Sequence, residues 1–233
     1  MISAKKQARV AGWLYLLMGV TAPIGLIYVP STLVVPGDAT ATADHLRASE
    51  SLLRIGIASE LFHQIIFIFL VLALYRLFKA VDEKQAALMV ILGAVVSVPI
   101  VFLNVLNEIA ALVLASGADF LSVFETRQLD ALALLFLRLH GWGLIVVSIF
   151  WGLWLFPFGI LVIRSGFIPR VLGVLLMFAG FGYMVGSSTS LLLPGYAHLV
   201  GRLTMPLEIG ELPIIFWLLI WGAKEQPSAS PSR

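Results

Sequence analysis

The stretch LRIGIASELFHQIIFIFLVLALYRLF, from Leu53 to Phe78, decides the fold class of this chain. It is longer than the roughly 20 apolar residues that a helix needs to cross a bilayer. Within it, SELFHQ places Glu60, His63 and Gln64 on one side of the helix. Ionisable groups within spans normally face a bundle interior or a wet cavity. The stretch therefore predicts a membrane-spanning helix with one polar face.

The composition of the whole chain also indicates a membrane protein. Of the 233 residues, 60% are hydrophobic and only 12% are charged, whereas soluble domains carry about 25% charged residues. The mean hydropathy is +1.01, so membrane lipid is the expected solvent and partner. The basic residues are scattered and the net charge is only +2, which argues against a nucleic-acid partner. The absence of cysteine excludes disulfides and thiolate metal sites.

Six apolar segments are long enough to cross a bilayer, which predicts an all-α integral membrane protein with a six-transmembrane-helix bundle. The first segment follows a basic stretch, as in a signal peptide, but it exceeds the roughly 7–15 residues of a signal core, so we interpret it as a retained span. Residues 1–223 are expected to form a single membrane domain, and the polar tail at 224–233 to be disordered. The segments cover approximately residues 10–33, 53–78, 86–115, 129–163, 168–193 and 203–223.

Lysine and arginine occur mainly at alternate loops. They precede the first span, flank the second loop, flank the fourth loop at Arg164 and Arg170, and follow the last span. Positively charged loops remain in the cytoplasm. The pattern therefore predicts that the N- and C-termini are both cytoplasmic.

The fourth segment is too long for a single straight span. Its residues would extend roughly 52 Å as one helix, against a hydrocarbon core of about 30 Å. A break near Gly141-Trp142-Gly143 would account for the length. A helix that begins in the preceding loop and enters the membrane near His140 would account for it equally well.

Polar side chains in different spans all fall in the predicted outer half of the membrane. At 1.5 Å per residue from the cytoplasmic boundary, Glu60 and Glu208 come to roughly 24 Å, and His140 to roughly 36 Å. We therefore expect an outward-facing polar pocket that binds or transports a small molecule or a cation. The residues expected to line this ligand-binding pocket are Glu60, His63, Gln64, Asn104, Asn107, Glu108, Arg138, His140, Glu208 and Glu211.

Two prolines mark the last span as irregular. Pro206 and Pro213 bracket Glu208 and Glu211, and each proline removes a helical hydrogen bond and frees a carbonyl one turn earlier. Interrupted helices with carboxylates beside free carbonyls are typical of segments that line binding sites. The pattern predicts a kinked helix that lines a binding site, and the alternative is that the prolines only shape helix packing.

A metal site is the sharpest chemical alternative. Glu60 and His63 form half of a di-iron carboxylate pattern, but a second Glu-x-x-His is absent from the sequence. His63 and His140 with one of three glutamates would resemble a two-histidine, one-carboxylate site for zinc or non-haem iron, and the protein would then be a membrane-embedded metal-dependent hydrolase. The candidate glutamates are Glu60, Glu208 and Glu211. The two histidines differ in predicted depth, so we assign no metal ligand, no cofactor and no catalytic residue from the sequence.

A further alternative is an accessory or structural membrane subunit. In that case the polar residues only join helices, for example through a pair between Glu60 and Arg54 or Arg138. Interhelical polar contacts contribute about 0.6 kcal/mol on average, which is enough to hold a bundle together without any ligand.

Three stretches resemble a known family. They are FGILVIRSGFIPRVLGVLLMFAGFGYMV (Phe158 to Val185), ARVAGWLYLLMG (Ala8 to Gly19) and GELPIIFWLLIWGAK (Gly210 to Lys224). Over nearly its whole length the chain resembles the bacterial integral-membrane proteins of domain-of-unknown-function family 4386. The resemblance implies a multi-pass protein of the bacterial cytoplasmic (inner) membrane, and it implies no activity.

Overall fold

The structure is a computed structural model that describes residues 3–223, so the predicted tail at 224–233 lies outside the described residues. All regular secondary structure in the described part is helical, which confirms the predicted all-α fold. Six helical segments are long and apolar enough to cross a membrane, as predicted. They are Ala4–Leu33, Glu50–Phe78, Glu83–Ala115, Thr126–Ser165, Arg170–Leu192 and Pro194–Ile220.

Several of these segments contain more than one α-helix. The helices are α1 (Ala4–Pro23), α2 (Val29–Leu33), α3 (Ala39–Ala48), α4 (Glu50–Phe78), α5 (Glu83–Val90), α6 (Ser97–Ala115), α7 (Thr126–Leu153), α8 (Leu155–Ser165), α9 (Arg170–Leu192), α10 (Ala197–Glu208) and α11 (Leu212–Ile220). Large apolar side chains lie on their outer surfaces, and Leu103 and Leu203 are each 67% exposed. Exposed apolar surface of this extent indicates a multi-pass membrane protein.

Proline interrupts the first and third spans. A π-helical segment, Ile24–Tyr28, separates α1 from α2, and another, Ile91–Val96, separates α5 from α6. Pro30 and Pro99 follow these segments closely, and the carbonyl four residues before each proline lies inside the π-helical segment. Because proline has no N–H, that carbonyl receives no ordinary helical hydrogen bond, and the helix widens there.

The break in the fourth span lies at a different place from the predicted one. Helix α7 passes through Gly141 and Gly143 without interruption, so the predicted weak point there is wrong. The interruption is at Trp154, between α7 and α8, and Pro157 follows it without an N–H to donate to the last turn of α7. Helix α7 begins at Thr126, in the preceding loop, which agrees with the alternative interpretation of the segment's length.

The last span is irregular at the place where the prolines predicted a kink. Helix α10 contains Pro206, a 3-10 turn follows at Ile209–Glu211, and α11 begins with Pro213 in its first turn. The change from α-helix to 3-10 helix therefore falls on the two carboxylates that the prolines bracket.

The helices form two compact units. The first, which we call the Glu108 unit, combines Leu17–Phe67 with Val96–Val147. The second, which we call the Glu211 unit, combines residues 3–16, 68–95 and 148–223. The single membrane domain expected from the sequence stays a prediction.

The Glu108 unit has an aliphatic core to which five of its helices contribute, including α3 through Leu46. Val29 of α2, Leu53 of α4, Leu112 of α6 and Ala133 of α7 are buried in one cluster. This packing brings the middle of α4, α6 and α7 together, and those are the helices that carry Glu60, Glu108 and His140.

The short helix α3 covers one end of the same unit. Its N-terminal cap is Asp38, whose carboxylate accepts a hydrogen bond from the backbone N–H of Ala41. Near its C-terminus, Arg47 donates hydrogen bonds to Asp44 at 2.8 Å and to the buried Asp130 of α7 at 3.0 Å. These two hydrogen bonds raise the pKa of the Arg47 guanidinium, which therefore remains charged and ties α3 to α7.

In the Glu211 unit, two pairs of glycines bring helices into backbone contact. Gly152 faces Gly180, and Gly159 faces Gly173; a Cβ at any of the four positions would lie 2.5–2.6 Å from the partner's carbonyl oxygen. Small residues allow this close approach between membrane helices. Gly152 and Gly159 of the fourth span and Gly173 and Gly180 of the fifth therefore serve helix packing.

Candidate functional site

Three buried ionisable side chains meet in the Glu108 unit. Glu60 of α4, Glu108 of α6 and His140 of α7 are 2%, 1% and 3% exposed. The Nε2 atom of His140 lies 3.1 Å from Glu60 Oε2 and 3.9 Å from Glu108 Oε2. One ligand atom from each residue lies within 4.8 Å of the other two. We call these three residues the Glu-Glu-His cluster.

Two glycines let the helices approach closely enough to form the cluster. A Cβ at Gly25 would lie 2.7 Å from Glu60 Cγ and 2.9 Å from the carbonyl oxygen of Gly56, so the π-helical segment packs directly on α4. On α7, a Cβ at Gly143 would overlap the side-chain amide of Asn104. Larger residues at either position would push the helices apart.

An asparagine pair supports the backbone that carries His140. Asn104 Nδ2 donates a hydrogen bond to the carbonyl oxygen of His140 at 2.9 Å, and this bond is buried. Asn107 Nδ2 in turn donates to Asn104 Oδ1 at 3.1 Å. Of the two predicted asparagines, Asn104 therefore contacts the His140 backbone directly and Asn107 contacts Asn104.

The carboxylate oxygens of the cluster are incompletely bonded. Within residues 3–223, Glu60 Oε1 and Glu108 Oε2 are buried and have no hydrogen-bond partner. The 3.9 Å separation from His140 allows an electrostatic attraction to Glu108, but it is too long for a hydrogen bond. Buried polar atoms are normally paired, and an unpaired one needs a physical reason.

A small cavity adjoins two members of the cluster. Its volume is about 30 Å³, enough for a water molecule. Glu108 and His140 form its polar side. The remaining lining residues are apolar: Val29, Pro30, Leu33, Val34, Leu53 and Leu137.

The donor atoms and their spacing suit a metal ion. Zinc binds imidazole nitrogen and carboxylate oxygen at about 2.0–2.2 Å, so two ligands of a tetrahedral ion are about 3.4 Å apart. The separations of 3.1 and 3.9 Å from His140 Nε2 lie on either side of this value. Among the residues that the structure describes, the cluster is the group of His, Asp and Glu side chains with this convergence.

Other predicted site residues of the same unit lie outside the cluster. His63 is buried, and its Nδ1 atom is 3.2 Å from the carbonyl oxygen of Met18. Gln64 is 1% exposed, and its Oε1 atom has no hydrogen-bond partner within residues 3–223. Arg138 is exposed on α7. The weak candidacy of His63 as a metal ligand therefore gains no support from its position.

The ion pair suggested for Glu60 is different from the observed one. Glu60 contacts His140. Arg54 pairs with Glu50 at 2.6 Å on the exposed side of α4. The pairing of Glu60 with Arg54 or Arg138 is therefore wrong. From the sequence, Glu60 and His140 were predicted to differ by roughly 12 Å in depth, yet His140 Nε2 lies 3.1 Å from Glu60 Oε2.

The two remaining carboxylates belong to the Glu211 unit. Glu211 accepts a hydrogen bond on Oε1 from the hydroxyl of Tyr15, and one on Oε2 from the hydroxyl of Tyr183 at 3.5 Å. Glu208 lies beside Gly182 of α9. Sequence reasoning missed both tyrosines because it counted them as apolar; the signal that could have found them is a phenol hydroxyl within an apolar span.

Comparison with known proteins adds family membership without an activity. The sequence matches the family described as a domain of unknown function (DUF4386) over residues 10–222. An uncharacterized protein of Archaeoglobus fulgidus is 41% identical over 76 residues, which are 33% of this chain and 44% of that protein. The chain thus spans less than half the length of that relative. No solved structure matches the chain.

Proposed function

Since the chain belongs to the DUF4386 family of unknown function, we propose its function from the geometry of its site: it is a multi-pass membrane protein that binds a divalent metal ion at Glu60, Glu108 and His140. The sequence alone left open whether the ligand is a small molecule or a cation, and the proposed site selects a cation. It also reduces the predicted site from ten residues to three ligands with Asn104 as a support.

The unequal bonding of the carboxylate oxygens carries the proposal. Glu60 Oε2 reaches His140 Nε2, but Glu60 Oε1 and Glu108 Oε2 have no hydrogen-bond partner among the described residues. A buried carboxylate without partners is costly, and two of them side by side also repel each other. A divalent cation among the three residues would neutralise both carboxylates and coordinate the free oxygens.

The ligand types indicate which ions to test. The cluster offers one imidazole nitrogen and carboxylate oxygens, and the chain contains no cysteine to supply a soft thiolate. Zinc accepts nitrogen and oxygen ligands in a four-coordinate site. Iron(II) and manganese(II) accept the same donors, so all three ions belong in the experiment.

A proton-sharing network is the second candidate. His140 Nε2 lies between Glu60 and Glu108, so a proton on this nitrogen could interact with either carboxylate. Chains of this kind carry protons in membrane transporters, which is the transport function expected from the sequence. This candidate requires no metal, and metal analysis therefore separates the two.

Metal content of the purified full-length protein tests the proposal. We expect about one ion per chain after reconstitution with zinc, iron(II) or manganese(II), measured by mass spectrometry of the elements. Glu60→Gln and Glu108→Gln keep the side-chain shape and should each weaken metal binding by more than about tenfold.

Glu211→Gln is the matched control, because it changes a membrane glutamate outside the cluster and should leave the metal content unchanged. His63→Asn is a second control for a buried histidine that is not a ligand. A wild-type protein that binds none of the three ions would exclude the metal site and favour the proton-sharing network. Equal losses in all the glutamate variants would show that the effect is not local.

The location and orientation of the chain are also proposals. The alternation of basic loops supports cytoplasmic N- and C-termini, and family resemblance supports the bacterial inner membrane. Because the chain has no cysteine, single cysteines introduced into the loops give an unambiguous readout. Labelling of residues 79–82 by a membrane-impermeant reagent in intact cells would contradict this orientation.

A further inference from the structure

We propose that the metal ion at the Glu-Glu-His cluster keeps one coordination position open toward the adjoining cavity, where it holds a water molecule or another small ligand that exchanges. This inference rests on the metal site proposed above. The inference goes further because an open coordination position distinguishes a catalytic metal ion from one that only holds helices together.

The count of protein ligands supports an open position. The cluster supplies three ligand residues, whereas structural zinc sites use four and catalytic zinc sites use three with a water in the fourth place. Gln64 is the other side chain to consider, because it follows Glu60 by one helical turn and has a buried, unpartnered Oε1. The experiment below includes coordination by Gln64 among its outcomes.

The cavity lies where an exchangeable ligand would sit. Glu108 and His140 contribute to both the cluster and the cavity wall. The other walls are formed by aliphatic side chains and a proline, and none of these can coordinate a metal. A ligand in this space must therefore come from outside the chain, and the volume of about 30 Å³ suits one as small as water.

The apolar walls have a chemical consequence. Charges interact more strongly where water is excluded, and a metal ion with an open position activates the water it binds for hydrolysis. The proposed arrangement is therefore that of a hydrolytic metal centre. The glutamates act as ligands that hold the ion, and the aliphatic residues limit what reaches it.

Cobalt(II) substitution tests the open position directly. Cobalt replaces zinc in nitrogen and oxygen sites and has visible absorption bands that report its ligands. We load the full-length protein with cobalt(II), measure the bound cobalt per chain, and then titrate azide as a small exogenous ligand. We expect stoichiometric cobalt and a saturable change in the absorption bands on azide addition.

Variants of the cavity wall test whether the exchangeable ligand occupies this cavity. Leu137→Phe and Val34→Phe add volume to the cavity wall at residues that are not metal ligands, and each should weaken the azide response by about tenfold or more while the bound cobalt stays constant. Leu137→Ala enlarges the cavity and should leave the response intact or strengthen it. Leu139→Phe, at an exposed neighbouring position on α7, is the matched control and should behave as wild type.

The outcomes distinguish this inference from the metal site itself. Absence of cobalt binding would overturn both. Bound cobalt with no azide response would leave the metal site standing and overturn the open position; recovery of the response in Gln64→Leu would then identify Gln64 as the fourth ligand. An unchanged azide response in both filled variants would overturn the assignment of the open position to the cavity.

Discussion

Glu108 and Glu211 are both carboxylates within apolar helical spans, and their surroundings satisfy them differently. Glu211 accepts a hydrogen bond on each oxygen, one from Tyr15 and one from Tyr183. Glu108 Oε2 has no such partner among the described residues, and Glu60 beside it also has an unpartnered oxygen.

The difference lies in the hydrogen-bond partners, because the residue type is the same and both residues lie in apolar spans. A carboxylate whose oxygens are both bonded within the protein is explained by helix packing alone. Glu60 and Glu108 converge on an imidazole with oxygens left free, and the metal ion proposed above would supply the missing partner. The number of hydrogen bonds that each carboxylate accepts therefore distinguishes a structural glutamate, Glu211, from a candidate metal ligand, Glu108. Three predictions test this distinction.

The largest expected effect concerns the close approach that forms the Glu-Glu-His cluster. Leucine at position 143 would overlap the Asn104 amide and force α6 away from α7, so Gly143→Leu should destabilise the protein by about 3 kcal/mol. Metal binding should be lost in the same variant, because His140 and Glu108 separate. Unfolding by sodium dodecyl sulfate in mixed micelles measures the first effect, and metal content measures the second.

Gly141→Leu is the control for that experiment. Nothing lies within 4 Å of a Cβ at Gly141, so the change should alter stability by less than about 1 kcal/mol and should leave metal binding intact. If the two glycines respond alike, the helix contact at Gly143 is not what builds the cluster.

The second prediction concerns Glu211. Tyr15→Phe removes one hydroxyl and leaves a carboxylate oxygen without its donor, which should cost about 2 kcal/mol. Tyr183→Phe should cost less, because its 3.5 Å contact is at the limit of hydrogen bonding. Both variants are measured by the same unfolding assay.

Metal content should stay at the wild-type level in both tyrosine variants. Loss of the metal from Tyr15→Phe would contradict the distinction between the two glutamates. An unchanged stability in Tyr15→Phe would show that Glu211 does not depend on its phenol partners.

The smallest expected effect concerns the support behind His140. Asn104→Ala removes the hydrogen bond to the His140 carbonyl and should weaken metal binding about tenfold, or about 1.4 kcal/mol. Isothermal titration with zinc measures the affinity. Asn107→Ala, which removes only the bond behind Asn104, should have a smaller effect. Equal affinities for wild type and Asn104→Ala would mean that the hydrogen bond does not position the imidazole.

Hydropathy alone was enough to predict the six spans. Each observed segment overlaps its predicted range because the length and apolar character of a span are properties of a continuous stretch of residues. The irregular helix between Pro206 and Pro213 could also be predicted, because the missing N–H of a proline affects only the preceding turn. The break at Trp154 was not found, because the glycines at 141 and 143 gave a stronger but misleading signal.

The candidate site was predicted only as part of a larger set. Glu60, Glu108 and His140 were all among the ten residues, but their meeting depends on the rotation of three helices and on contacts at Gly25 and Gly143. Such contacts leave no periodic signal in one sequence.

The paired glycines of the Glu211 unit also fix the register in which their helices pack. Gly152 and Gly159 are seven residues apart, as are Gly173 and Gly180, so both contacts form in one register and both are lost in any other. The loop between α8 and α9 is only four residues long and turns at Gly166, which has a φ of 70°. The contacts that set the register of this helical hairpin are therefore local in sequence. Its helices can pack in the correct register before more distant parts of the chain have come together.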